Sequence, residues 1–133
     1  MKHSQDRRGQ LVRLVYIVGR AVVALLFVIA GSEKILGPKP FLAHMAEHRV
    51  PGELLPLVIA LELSAGLAML TGILWRPAAA ALGVFCIATA FVFHFNPADH
   101  AETTMLAKDL ALAGALLALA MSQAPSRYLQ DPQ

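Results

Sequence analysis

The chain has 133 residues, a length that fits one domain. Hydrophobic residues make up 57% of it and charged residues 15%, with a mean hydropathy of +0.61; a water-soluble protein this small lacks the interior to hide so much apolar surface, so the composition points to a membrane solvent. The formal net charge of +2, without a basic block flanked by stacking aromatics, speaks against nucleic acid, and a single cysteine, Cys86, rules out an internal disulfide or a CxxC redox pair.

A bilayer core about 30 Å thick is crossed by roughly 20 apolar residues in helical form. Four segments come close: Leu11 to Gly31, Leu54 to Gly72, Ala78 to Phe95, and Met105 to Gln123. Gly37-Pro38, Pro51-Gly52, Arg76-Pro77, Asn96-Pro97 and Pro125 supply turn and helix-end signals between and after them. The reading is an all-α, integral-membrane four-helix bundle, one domain over residues 1–133.

The first span has the basic start, Arg7-Arg8, and the small-residue end, Ala30-Gly31-Ser32, of a signal peptide. Arg20 interrupts its apolar run, however, which a signal core avoids, so a retained membrane helix is expected. Lys2, Arg7, Arg8 and Arg13 at the start share one side with Arg76 and Arg127 if the chain crosses four times. Lys39 and Arg49 lie on the other side, with Lys34 and Lys108 at its border. The basic majority marks the cytoplasmic face, so both termini are expected there, with Trp75 and Tyr128 at that boundary.

After the first span comes His44-Met45-Ala46-Glu47-His48, an H-x-x-E-H pattern that puts two imidazoles on one helical face, as in some zinc hydrolases. Imidazole suits Zn, Cu and Fe, and His94, His100, Asp99 and Glu102 map to the same side. The motif falls in what reads as a loop with no fixed third ligand, so surface histidines are the expectation. A metal at His44 and His48 is the alternative.

The second span carries one acid, Glu62. It lies ten residues from Gly72, about 15 Å from the cytoplasmic end, and Arg20 lies nine residues from Leu11, about 13.5 Å from the same side. Either charge alone costs on the order of 3 kcal/mol near the bilayer centre. An Arg20–Glu62 contact is therefore expected, with Ala65 and Gly66 leaving room for the arginine. Small residues at four-residue spacing, Ala60, Ser64 and Ala68, then Ala107, Ala111 and Ala115 with Gly114 beside them, are the expected helix contacts. Cys86, in the third span, reads as a small apolar residue.

Near the outer boundary stand Glu33, Lys34, His94, Lys108 and Asp109, the last about 6 Å inside the fourth span. Lys34 follows Arg20 by fourteen residues, close to four turns, so a polar cleft is expected to descend from there to Glu62. Snorkelling to headgroups accounts equally for Lys34 and Lys108, and a solvated helix start for Asp109. The sequence lacks a phosphate-binding glycine loop, a nucleophile elbow and a haem-attachment motif.

The order of these features, Arg20 followed by GSEK at 31–34, MAEHRVPGELL from Met45, LELSAGLAMLTG from Leu61, RPAA from Arg76, FVFHF from Phe91 and KDLALAGALL from Lys108, resembles the DoxX family of small bacterial membrane proteins. The likeness runs from about Val12 to Tyr128. One departure is Lys108-Asp109, where the family commonly has K-N. The resemblance implies a four-helix inner-membrane protein. It also implies a link to quinones, since some relatives form a small subunit of thiosulfate:quinone oxidoreductase and others accompany quinone, catechol or oxidative-stress responses.

The expected function is thus a quinone- or quinol-interacting membrane subunit of a redox system, with quinone as an exchangeable ligand and no covalently bound cofactor. Arg20, Lys34 or Lys108 would donate to the ring oxygens. Glu62 or Asp109 would exchange the proton, with His94 as relay, and electrons would come from another redox protein or subunit. The alternatives are a non-enzymatic scaffold or maturation partner, and a metal-binding membrane protein. Alanine-rich faces are compatible with a homo-oligomer.

Overall fold

Local signals explain where each helix starts and stops. The computed structural model describes residues 2–122. Helix α1, Lys2–Leu36, stops at Gly37, and α2, Pro38–Glu47, begins at once with Pro38 in its first turn, where a missing N–H costs nothing. At its other end Arg49 takes a left-handed φ of 59° and the Val50 N–H returns to the Met45 carbonyl at 2.9 Å, a Schellman closure followed by Pro51. A 3₁₀ turn, Gly52–Leu54, leads into α3, Leu55–Thr71, which ends at Gly72 with a φ of +82° that favours glycine. Helix α4 is Trp75–Phe93. Helix α5, His100–Met121, is capped by the Asp99 carboxylate, which accepts from the Ala101 N–H at 2.8 Å.

The helices pack in series: α1 on α3, α3 on α4, α4 on α5. Ala24, Phe27, Met69, Ala79, Leu82 and Leu116 are among the buried residues of the seam. Outward-facing Val22, Leu67, Val84 and Phe91 are exposed, as expected of side chains meeting lipid. Four of the helices are long and apolar enough to cross a membrane, and no strand occurs among the described residues. The expected all-α membrane bundle is the observed one. Tyr128 and Arg127, and the orientation argument drawn from them, lie outside the described residues.

Three expectations require correction. The first helix is longer than the span 11–31, and its register on α3 is fixed lower down: Gly66 lies against the Ala24 carbonyl and the Val28 amide, and Gly31 against Leu63 and Glu62. Counting along this antiparallel pair brings Arg20 to the end of α3, at Gly72, rather than to its middle. Residues 2–15 therefore run on past that end, and those from Ser4 to Val15 are almost all exposed. Secondly, the histidine segment is helical, because Pro38 and Pro40 occupy the opening turn of α2 instead of breaking it. Thirdly, the small-residue rows are mostly not the helix contacts: Ala60, Ser64, Ala107, Ala111, Gly114 and Ala115 are exposed, while Ala65, Gly66 and Ala113 are buried. Four-residue spacing defines a stripe but not which way the helix turns it.

Candidate functional site

Helices α1 and α5 are the two ends of the packing series and hardly meet, and a cavity of about 380 Å³ lies where they border the other elements. Phe27 and Ala30 of α1, Met45 of α2, Val58 of α3, Phe85 of α4 and Leu112 of α5 contribute to a wall that is mainly apolar. Lys34, Glu62, His44, His94 and Asp109 supply ionisable groups. The size is that of a small-molecule pocket with a few placed polar groups.

One wall is an ion pair. Lys34 Nζ donates to Glu62 Oε1 at 3.0 Å and to the Ala30 carbonyl at 3.3 Å, and lies 4.9 Å from the centre of the Phe41 ring. Glu62 is only 4% exposed. Its Oε2 lies 2.8 Å from Nζ yet receives no directed hydrogen bond among the described residues. The short separation is thus Coulombic contact, and this oxygen keeps its capacity to accept a hydrogen bond. The pair forms because Gly31, one turn before Lys34, lets α3 approach α1 closely beside Glu62.

The opposite group is built across the α4–α5 turn. His94, the residue closing α4, points Nδ1 at Glu102 Oε2 (2.7 Å) and Nε2 toward Asp109 Oδ2 (3.8 Å). A carboxylate accepts, so the Nδ1 hydrogen faces Glu102 and Nε2 faces Asp109. Asp109 borders the cavity, whereas Glu102 is in the first turn of α5, toward the loop end. The contacts run Asp109–His94–Glu102, from the cavity wall toward the α4–α5 loop. Glu102 and Asp109 are seven residues apart, two helical turns, and this spacing was the signal in the sequence that Glu102 shares the face of Asp109.

The histidines of α2 stand beside these contacts. The His44 ring stacks on Phe93 with centroids 5.1 Å apart, meets His48 edge-on at 4.5 Å, and lies 6.4 Å from the His94 ring. His44 borders the cavity.

Two of the expected site residues lie elsewhere. Arg20 does not contact Glu62. Its guanidinium packs against Gly72 at the C-terminal end of α3, where a cation is favoured, and sits 5.8 Å from the centres of both the Tyr16 and Trp75 rings. Lys108 is exposed and outside the cavity wall, because one residue's step from Asp109 turns it about 100° round the helix. Arg20→Met should therefore lower thermal stability by about 1–2 kcal/mol through the lost ring contacts, while leaving ligand binding in the cavity unchanged. Melting curves and binding measured on the same preparation check both halves.

A family model described as DoxX matches residues 15–95. Over 115 residues the chain is 40% identical to "Inner membrane protein YqjF" of Escherichia coli (strain K12), covering 86% of this chain and 88% of that protein. No solved structure matches the chain. With its four candidate spans, the protein is a multi-pass protein of the inner membrane. The chain belongs to the DoxX family.

Proposed function

We propose that the protein binds a lipid-soluble quinone or quinol in the cavity between α1 and α5 and exchanges its protons, as the membrane part of a redox system. The observation that carries this reading is the Lys34–Glu62 pair bordering a mainly apolar cavity of about 380 Å³, with Asp109 also in its wall. An apolar ring reaching the cavity from the bilayer keeps its surface away from water. Lys34 donates to a carbonyl oxygen and offsets negative charge as it develops there. Glu62 Oε2 accepts from a quinol hydroxyl.

Reduction of a quinone to a quinol takes up two electrons and two protons. Asp109, His94 and Glu102 provide the groups along which protons pass between cavity and water. The electrons come from a separate redox protein or subunit. With both termini cytoplasmic, as the basic residues of the N-terminal segment favour, the Lys34–His94 end faces the periplasmic side.

A photoreactive quinone analogue, applied to the protein in nanodiscs, tests the reading. Labelling is expected on peptides carrying Ala30 to Lys34 or Asp109 to Leu112, and unmodified quinone should compete it away. Glu62→Gln should weaken that competition about tenfold or more, the scale of one hydrogen bond to a charged group. Labelling that quinone does not displace, or that is indifferent to Glu62→Gln in a folded preparation, refutes the proposal.

A further inference from the structure

The last turn of α2 carries an arrangement that quinone binding does not use. His44, Glu47 and His48 each present one donor atom, and these atoms all lie within 4.8 Å of one another. We propose that they form a binding site for a divalent first-row transition-metal ion at the rim of the cavity.

Four features support the assignment. The spacing is the first. His44 Nδ1 and Glu47 Oε2 are 3.7 Å apart, and two donors about 2.1 Å from one tetrahedral ion lie about 3.4 Å apart, so small side-chain rotations close the set. The second is the tautomer of His48. Its Nδ1 lies 3.0 Å from the His44 carbonyl oxygen, which can only accept, so Nδ1 carries the hydrogen and Nε2 is the bare nitrogen a metal needs. Thirdly, the His44 ring is held by Phe93 on one side and His48 on the other, which limits the rotations lost on binding. Finally, Glu47 ends α2, where the helix dipole disfavours an acid and favours a cation.

Two imidazoles and one carboxylate are a donor set for Zn²⁺, Cu²⁺ or Fe²⁺ rather than for Mg²⁺ or Ca²⁺, which take oxygen. The set leaves at least one coordination position to water or another donor. Glu47 is exposed, so the ion has access from water, and His44 belongs also to the cavity wall.

The test uses the full chain without a histidine tag, stripped with chelator and then titrated with Zn²⁺ or Co²⁺. One Zn²⁺ per chain is expected, together with visible ligand-field absorption from bound Co²⁺. His48→Ala and Glu47→Gln should each weaken binding at least tenfold, His44→Gln likewise, and His100→Ala should leave it unchanged. Circular dichroism and gel filtration select the folded variants; Glu47→Gln, on an exposed side chain, serves where a histidine variant does not fold. Less than half an equivalent of bound metal overturns the proposal, as does affinity unchanged by Glu47→Gln or lowered equally by His100→Ala.

Discussion

Lys34→Met should destabilise the protein by about 3–5 kcal/mol, because it leaves the Glu62 carboxylate buried without its cation. The ammonium of Lys34 is the group that contacts Glu62 among the described residues, and the long α1 cannot slide to bring Arg20 in its place. The pair is not itself strong evidence of a net gain in stability, since replacing both members by apolar residues is often neutral or better. That distinction separates structure from function. Lys34→Met/Glu62→Leu should recover most of the melting temperature lost in Lys34→Met. It should not recover quinone-displaceable labelling. Thermal unfolding followed by the fluorescence of Trp75, the sole tryptophan, reads the first property, and labelling reads the second. A single variant as stable as the parent protein would mean the ion pair does not form. A double variant that labels normally would mean the pair only holds α1 against α3.

The sequence was informative about elements and poor about facing. Four apolar runs with Gly and Pro between them are one-dimensional signals, and α3, α4 and α5 end within five residues of the expected limits. Depth is another matter. Counting from Leu11, the first residue of its apolar run, puts Arg20 at the midplane, but a helix can extend beyond its bundle without any change in composition. The contact of Gly66 with Ala24 and Val28 sets the depth, and that contact is not written in the spacing of α1. The true partner of Glu62 was within the expected polar group: Lys34, assigned to the outer boundary, reaches Glu62 one turn beyond the close approach at Gly31. The same limit hid Glu102, since its bond to His94 depends on how tightly the chain turns between α4 and α5. For α2 the signal was present in the prolines, which open helices as readily as they end them.

These corrections concentrate the chemistry. The expected cleft descends from the outer boundary to Glu62, with Arg20 at the depth of Glu62. The observed polar groups instead gather in the half of the bundle nearest α2, and Arg20 sits with Tyr16 and Trp75 at the other end. The Arg20 end has the character of an interfacial anchor, with an arginine between amphipathic rings. The α2 end has the cavity, and α2 contributes Phe41, His44 and Met45 to its wall. Lys34 of α1 and Asp109 of α5 border the same cavity.

Gly66→Val should lower stability by about 2–3 kcal/mol, the range for forcing extra atoms into a packed contact. A Cβ at Gly66 would lie 2.9 Å from Val28 Cγ2, 3.1 Å from the Ala24 carbonyl oxygen and 3.2 Å from the Val28 nitrogen. Two of these neighbours are backbone, which cannot rotate aside, so α1 and α3 must separate. Lys34 and Glu62 are carried by the same two helices, and their 2.8 Å approach should lengthen with them. Quinone-displaceable labelling should therefore fall along with stability, although residue 66 is outside the cavity wall. Two other glycines calibrate the effect. At Gly83 the nearest atoms, 2.9–3.0 Å away, belong to the Leu117 side chain, which can change rotamer, so valine there should cost less. At Gly114 nothing lies within 4 Å, and valine should be near neutral. Melting temperatures in the order Gly114→Val, Gly83→Val, Gly66→Val, highest first, are the expected result. Equal melting temperatures for Gly66→Val and Gly114→Val would contradict the close α1–α3 contact on which the position of Lys34 beside Glu62 depends.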